Sequence, residues 1–110
     1  MMTIDWTAST AFQNALALYR AGDYYGCHEV IEDGLWRPEL DALRKQFYQG
    51  WLQVAVGHYH AQRGNRVGQR NLWARGAEKL RNTLDLVGLP EDVRDWFWAE
   101  VDRVADLRCD

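Results

Sequence analysis

A short segment of the chain carries residue types used in metal binding and in acid–base catalysis. His28, Glu29 and Glu32 lie in a stretch whose apolar residues recur at helical spacing. Residues four positions apart share one face of a helix, so we expect the His28 and Glu32 side chains to lie side by side. Glu29 holds the position that the general base takes in the zinc-binding pattern His-Glu-x-x-His. The spacing predicts a polar site but does not name a reaction.

One interpretation of this site is a divalent metal centre. His28 and Glu32 would be ligands of zinc, manganese or nickel, and His60 would be a third ligand, because open catalytic sites combine a few protein ligands with water. Glu29 would be the catalytic base acting on the metal-bound water. This interpretation predicts hydrolysis of a small substrate.

Two further interpretations also explain how the carboxylates of Glu29 and Glu32 could be stabilised inside a helical bundle. In the first, the carboxylates pair with Arg63, Arg66 and Arg70 of the fourth predicted helix, and the cluster is a structural network that fixes helix register. In the second, a small cationic or polar ligand lies in a cleft whose walls are Trp36 and Trp51. The spacing of the residues leaves all three interpretations open.

A row of polar residues on the predicted third helix could complete the site. Gln49, Gln53 and His60 follow Gln46 at steps of three, four and seven residues, so they line one edge that can face the second helix. His58 lies on a different face, where we expect a hydrogen-bonded core histidine. The polar cluster is therefore predicted to include Gln49 and Gln53.

Hydrophobic periodicity predicts that the fold positioning these residues is all-α. Apolar residues recur at helical spacing along almost the whole chain, and no alternating β-branched run interrupts them. We predict a compact antiparallel bundle of four to five helices, built from helix hairpins. The predicted helices run over 8–21, 24–35 and 38–62, then from the Gly64-Asn65 turn to Gly88, and from Pro90 onward.

Two sequence patterns indicate how these helices meet. Gly22-Asp23-Tyr24-Tyr25-Gly26 aligns with Gly64-Asn65-Arg66-Val67-Gly68, and both segments read as hairpin turns similar to those of tetratricopeptide repeats. Two copies favour a closed bundle over a solenoid. A stripe of mostly small residues on the third helix predicts close approach of a neighbouring backbone, and it consists of Gly50, Val54, Gly57 and Ala61.

Composition limits the classes of function. The chain has 110 residues, 47% of them hydrophobic, which predicts one helical domain over residues 1–110. Its net charge of -3 argues against a nucleic-acid partner.

No leader segment and no run of 18 apolar residues is present, so we expect a soluble cytoplasmic protein that does not bind a membrane. Cys27 and Cys109 are expected to be thiols. A homodimer is one way in which exposed tryptophans would be covered.

Several blocks of the sequence together resemble a known family, the small helical prokaryotic proteins called domain of unknown function 309, sometimes labelled predicted metal-dependent hydrolases. The blocks are Leu18-Tyr19-x-x-Gly22-Asp23-Tyr24-Tyr25, His28-Glu29-Val30-Ile31-Glu32, Phe47-Tyr48-Gln49-Gly50-Trp51-Leu52-Gln53-Val54-Ala55, Tyr59-His60 and Gly64-Asn65-x-x-Gly68. The resemblance implies a compact bundle of antiparallel helices. It also implies that the site residues are His28, Glu29, Glu32, Gln49 and Gln53.

One departure from the family pattern concerns the tryptophan that follows the histidine. The family pattern places this tryptophan seven residues after the histidine, whereas here Leu35 holds that position and Trp36 follows it, as though Gly34 were inserted. We therefore expect the end of the second helix to differ. Apart from a hydrolase, the sequence is also consistent with a module whose hairpins present a groove to a peptide or to a partner helix.

Overall fold

The fold is all-α, as the sequence predicted. The computed structural model describes residues 5–108. A 3-10 turn at Trp6–Ala8 precedes five helices within that range: α1 (Thr10–Arg20), α2 (Tyr24–Val30), α3 (Ala42–Gln62), α4 (Arg66–Thr83) and α5 (Glu91–Arg108). Helix α2 continues directly into a π-helical segment at Ile31–Trp36. Cys27 is a buried free thiol, and Cys109 lies outside the described residues.

The two predicted hairpin turns are built in the same way. Each begins with a glycine in the left-handed region, Gly22 (φ 81°) or Gly64 (φ 76°), where a side chain would be strained. Asp23 or Asn65 then caps the next helix by accepting a hydrogen bond from the backbone N–H three residues further on. The Gln62 side chain donates to the Gly22 carbonyl at 3.0 Å, so both turns lie at the same end of the molecule.

Helix α3 is the central element, and its start differs from the prediction. It begins at Ala42 and not at Pro38, because Asp41 is the N-cap and accepts from the Arg44 backbone N–H at 2.9 Å. Helix α3 is buried around much of its girth, as its sequence pattern predicted. Its buried residues are Phe47, Tyr48, Gly50, Trp51, Val54, Ala55, Gly57 and His58.

Helices α3 and α4 touch at the level of their backbones. A Cβ atom added to Gly76 of α4 would lie 2.7 Å from the Gly50 carbonyl oxygen and 2.9 Å from the Val54 backbone nitrogen, both in α3. Neither backbone atom can move aside as a flexible side chain would. The close approach predicted from the stripe of small residues is confirmed, and it uses a glycine of each helix.

A polar network that runs from the core to the surface joins α1, α3 and α5. The Tyr19 hydroxyl donates to Glu100 Oε2 at 2.5 Å, and it also lies 2.9 Å from His58 Nε2. Because the phenol has one proton and Glu100 receives it, Nε2 of His58 is the donor to the Tyr19 oxygen. Arg103 donates two hydrogen bonds to Glu100, at 2.8 and 2.9 Å. His58 is thus a hydrogen-bonded core histidine, as predicted.

None of the helices within residues 5–108 combines the length and the apolarity needed to cross a membrane. The cytoplasmic location of the protein stays a prediction.

The glycine contact between α3 and α4 leads to a stability prediction. We expect Gly76→Ala to lower the free energy of unfolding by about 1–3 kcal/mol, because the added methyl group must push the two backbones apart. Urea unfolding of the purified variants measures this change. Asn71→Ala is the control, since Asn71 is exposed on the same helix and the substitution should be nearly neutral. An equally small effect of both substitutions would contradict the backbone contact.

Burial of His58 predicts that stability falls in mild acid. Burial, together with the Arg103 guanidinium, lowers the pKa of His58 from 6.5 to about 4. Between these values the unfolded chain binds a proton that the folded protein does not, so the stabilisation is complete above pH 6.5 and is lost as the pH falls. We expect wild type to lose about 2 kcal/mol of unfolding free energy between pH 7 and pH 5 from this group.

Two histidine variants test this assignment. His58→Gln keeps a donor toward Tyr19 but does not titrate, so its unfolding free energy should change less over the same pH range. His60→Gln is the control, because it removes a histidine that is partly exposed and not buried. Equal slopes in wild type and His58→Gln would assign the acid sensitivity to another group.

Candidate functional site: the groove between α2 and α3

The predicted pairing of His28 with Glu32 is present. His28 Nε2 lies 3.1 Å from Glu32 Oε2, and the two side chains are 25% and 35% exposed. The pair therefore lies at a surface that solvent or a ligand can reach, and it is not sealed in the core. The second Glu32 oxygen, Oε1, lies 3.5 Å from Arg37 Nη2. The cation beside Glu32 thus comes from the end of its own helix, and not from α4 as one interpretation of the sequence proposed.

Two small clefts flank this pair along the seam between α2 and α3. The first has a volume of about 120 Å³ and is lined by Tyr25, His28, Val56, Tyr59 and His60. The second has a volume of about 160 Å³ and is lined by Glu32, Trp36, Gln49 and Leu52. We call the surface formed by these nine residues the α2–α3 groove. The lining residues recur at three- and four-residue steps on both helices, as expected for two facing helical edges.

The π-helical segment explains how Trp36 reaches the groove. The Arg37 backbone N–H donates to the Glu32 carbonyl at 3.0 Å, a bond that spans five residues. In a regular helix a residue eight positions after His28 would be rotated by about 80° from the His28 face. A π turn holds one additional residue, so Trp36 stays on the face of His28. The eight-residue spacing, which resembles an insertion at Gly34, was the sequence signal of this turn.

Two residues predicted for the site lie elsewhere. Trp51 is 1% exposed and packs in the core against Phe12 and Phe97, so the cleft wall predicted at Trp51 is corrected to Leu52, the next residue. Gln53 accepts a hydrogen bond from Lys79 Nζ of α4 at 3.0 Å, which ties it to the opposite neighbour of α3. The predicted glutamine row is thus divided between α2 and α4.

The other predicted residues lie in or near the groove. Gln49 and Trp36 line the second cleft, and His60 lines the first cleft together with His28. His60 Nδ1 lies 3.3 Å from the Asn65 side-chain nitrogen, at the α3–α4 turn. Glu29 is exposed and lines neither cleft. Its role as a catalytic base stays a prediction.

The residues that the structure brings together supply two metal ligands and not three. The 3.1 Å separation of His28 Nε2 and Glu32 Oε2 suits two ligands that each lie about 2.1 Å from one ion. Across residues 5–108, however, no group of three or more His, Cys, Asp or Glu side chains is arranged to hold a metal ion. Catalytic zinc sites use three protein ligands, so this set is incomplete. Zinc, manganese or nickel binding, with His60 as third ligand, stays a prediction.

Apart from Trp36, the aromatic and apolar walls of the groove were not predicted from the sequence. Tyr25 is 52% exposed, and its ring centroid lies 5.4 Å from that of Tyr59. Val56 and Leu52 form the apolar lining on α3. The available signal was helical spacing, because Tyr25 precedes His28 by three residues and therefore shares its face. Apolar residues at that spacing are usually core residues, which is why the pattern alone did not identify a groove.

The comparisons with known proteins match the part of the chain that contains the groove. A family model described as "Domain of unknown function (DUF309)" matches residues 12–72, from α1 into α4. A relative in Bacillus subtilis (strain 168), described as "Uncharacterized protein YpuF", is 36% identical over 59 residues, which are 54% of this chain and 33% of the relative. The match thus spans about a third of the relative's length. No solved structure matches.

From the π-helical segment we predict that one of its residues can be removed without loss of the fold. We expect deletion of Gly34 to convert the π turn into a regular turn with Trp36 still on the groove face, at a cost of no more than about 1 kcal/mol. Deletion of Ala74 is the control, because α4 has no π turn and the deletion rotates every later residue by about 100°. Circular dichroism and thermal unfolding compare the two. Loss of folding in both deletions would refute the role given to the π turn.

Proposed function

Because the chain belongs to the DUF309 family, a domain of unknown function, we propose a function from the groove itself. The protein is a non-enzymatic interaction module, and its α2–α3 groove binds a helix of a partner protein. The observation that carries this proposal is the presence of two clefts, each the size of one side chain, separated by two helical turns.

The size of the clefts favours a protein partner over a small molecule. A cavity of about 150 Å³ holds one benzene ring, and the two clefts measure about 120 and 160 Å³. Each cleft therefore suits one leucine or one aromatic side chain. Pockets for drug-sized ligands have volumes of about 300–1,000 Å³, so neither cleft encloses such a ligand.

The spacing of the clefts favours a helix as the partner segment. Val56 lines the first cleft and Gln49, seven residues earlier on α3, lines the second. Seven residues correspond to about 10 Å along a helix. A helix that docks into a groove presents anchors at positions i and i+7, and these have the same separation. A partner helix lying along α3 would thus place one apolar side chain in each cleft.

A displayed library of amphipathic helices with large apolar residues at positions i and i+7 tests the proposal. We expect selected helices to bind wild type and to lose roughly tenfold or more in affinity for Val56→Asp, because a charge replaces the apolar lining of a cleft. Val67→Asp is the matched control, since Val67 is 72% exposed on α4, outside the groove. Thermal unfolding confirms that both variants fold. Helices that bind both variants equally would contradict the groove as the docking surface.

The alternative function predicted from the sequence, a metal-dependent hydrolase, is tested on the same protein. Elemental analysis of protein purified without an affinity tag measures bound metal, and thermal shifts with zinc, manganese and nickel measure added metal. The interaction module predicts neither a stoichiometric metal nor a shift that depends on His28. Stoichiometric metal that is lost in His28→Ala would favour the metal-dependent hydrolase, with Glu32 as second ligand.

A further inference from the structure

We infer that the partner helix carries a lysine or an arginine midway between its two apolar anchors. This inference rests on the proposed function, and it concerns the stretch between the two clefts where α2 continues into the π-helical segment. Three carboxylates lie along this stretch, those of Glu29, Glu32 and Asp33, and we call it the groove rim. A cation of the partner would contact them.

The carboxylates of this stretch outnumber the cations that contact them. Glu29, Glu32 and Asp33 lie within about one helical turn, and Glu29 and Asp33 are exposed. Arg37 is paired with two of them, at 3.5 Å from Glu32 and at 3.5 Å from Asp33, and the other oxygen of Glu32 contacts His28 at 3.1 Å. The Arg37 side chain is 64% exposed, and long ion pairs of exposed side chains contribute little to stability. Arg37 can therefore give up these contacts to a partner at small cost.

The other cations beside the groove are engaged at its two ends. Lys45 Nζ donates to the Trp36 carbonyl at 2.8 Å and lies 4.1 Å from the centre of the Trp36 ring. Arg63 lies at the opposite end, where its Nη1 donates to the Tyr59 hydroxyl at 3.3 Å. Each cation is thus held against an aromatic residue that lines a cleft. The rim between the clefts keeps its acidic character.

The register of a docked helix places one residue opposite this rim. With anchors at positions i and i+7, residues i+3 and i+4 lie midway, about 5 Å from each anchor along the axis. Because these two residues are about 100° apart around the helix, one of them faces the α2 side of the groove. On α2 the corresponding midpoint lies between His28, which lines the first cleft, and Glu32, which lines the second. A lysine or arginine of the partner at this point would reach Glu32 or Glu29. An acidic residue there would be repelled, which gives specificity as well as affinity.

Three versions of one groove-binding helix test the inference. They are identical except at the midway residue, which is lysine, norleucine or glutamate. Fluorescence anisotropy at low salt measures their affinities. We expect lysine to bind about two- to fivefold more tightly than norleucine and glutamate to bind more weakly than norleucine, as for exposed charge pairs. The difference between lysine and norleucine should shrink at high salt.

A charge reversal on the protein assigns the effect to the rim. In Glu32→Lys the preference for the lysine helix should be lost, because the two remaining carboxylates, Glu29 and Asp33, are then matched by Arg37 and the introduced ammonium group. Glu29→Lys is a second variant that should shift the preference in the same direction. Glu78→Lys is the matched control, because Glu78 is exposed on α4 outside the groove, and it should keep the wild-type order.

The outcomes separate this inference from the proposed function. Equal affinities of the three helices for wild type, with binding still lost in Val56→Asp, would overturn the cationic partner and leave the docking groove in place. A preference for lysine that persists unchanged in both Glu32→Lys and Glu29→Lys would also overturn it. Failure to find any helix that needs Val56 would overturn the proposed function together with the inference.

Discussion

The backbone contact between α3 and α4 is the constraint on which the rest of the structure depends. A side chain at Gly76 would collide with the Gly50 carbonyl and with the Val54 backbone nitrogen, so the backbones of the two helices are in close contact at this point. The contact uses one face of α3 for stability. A different face of α3 remains for α2, and that face, with Val56 and Leu52, becomes one wall of the groove.

The polar network of the bundle and the groove that we propose as a docking surface occupy separate parts of this small protein. The polar network of Tyr19, His58, Glu100 and Arg103 ties α5 to α1 and α3 within the bundle. The groove lies on the α2 side, and its residues come from the segment that the family model matches, residues 12–72. Helix α5 starts beyond that segment. The polar contacts of this network therefore use no residue that lines the groove.

The pairing of His28 with Glu32 was predicted correctly from the sequence, whereas the extent to which these side chains are buried was not. The sequence pattern suggested that the carboxylates near His28 needed compensation inside the bundle, yet His28 and Glu32 are partly exposed. Water meets much of the hydration need of such groups, so neither a metal nor a buried arginine is required to explain them. The ionisable network that reaches into the core is instead the one of Tyr19, His58 and Glu100, which no short motif indicated, because Tyr19 and Glu100 are 81 residues apart.

The sequence by itself determined the features that depend on near neighbours. Helical periodicity, the glycine and Asx cap of each hairpin turn, and the shared face of His28 and Glu32 all follow from residues within a few positions of one another. Tertiary structure alone decided which side chains meet across helices. Trp51 is buried in the core, Leu52 lies in the groove, and Gln53 accepts a hydrogen bond from Lys79. The physical reason is that helix spacing sets the direction of a side chain, whereas its neighbour depends on how distant helices pack.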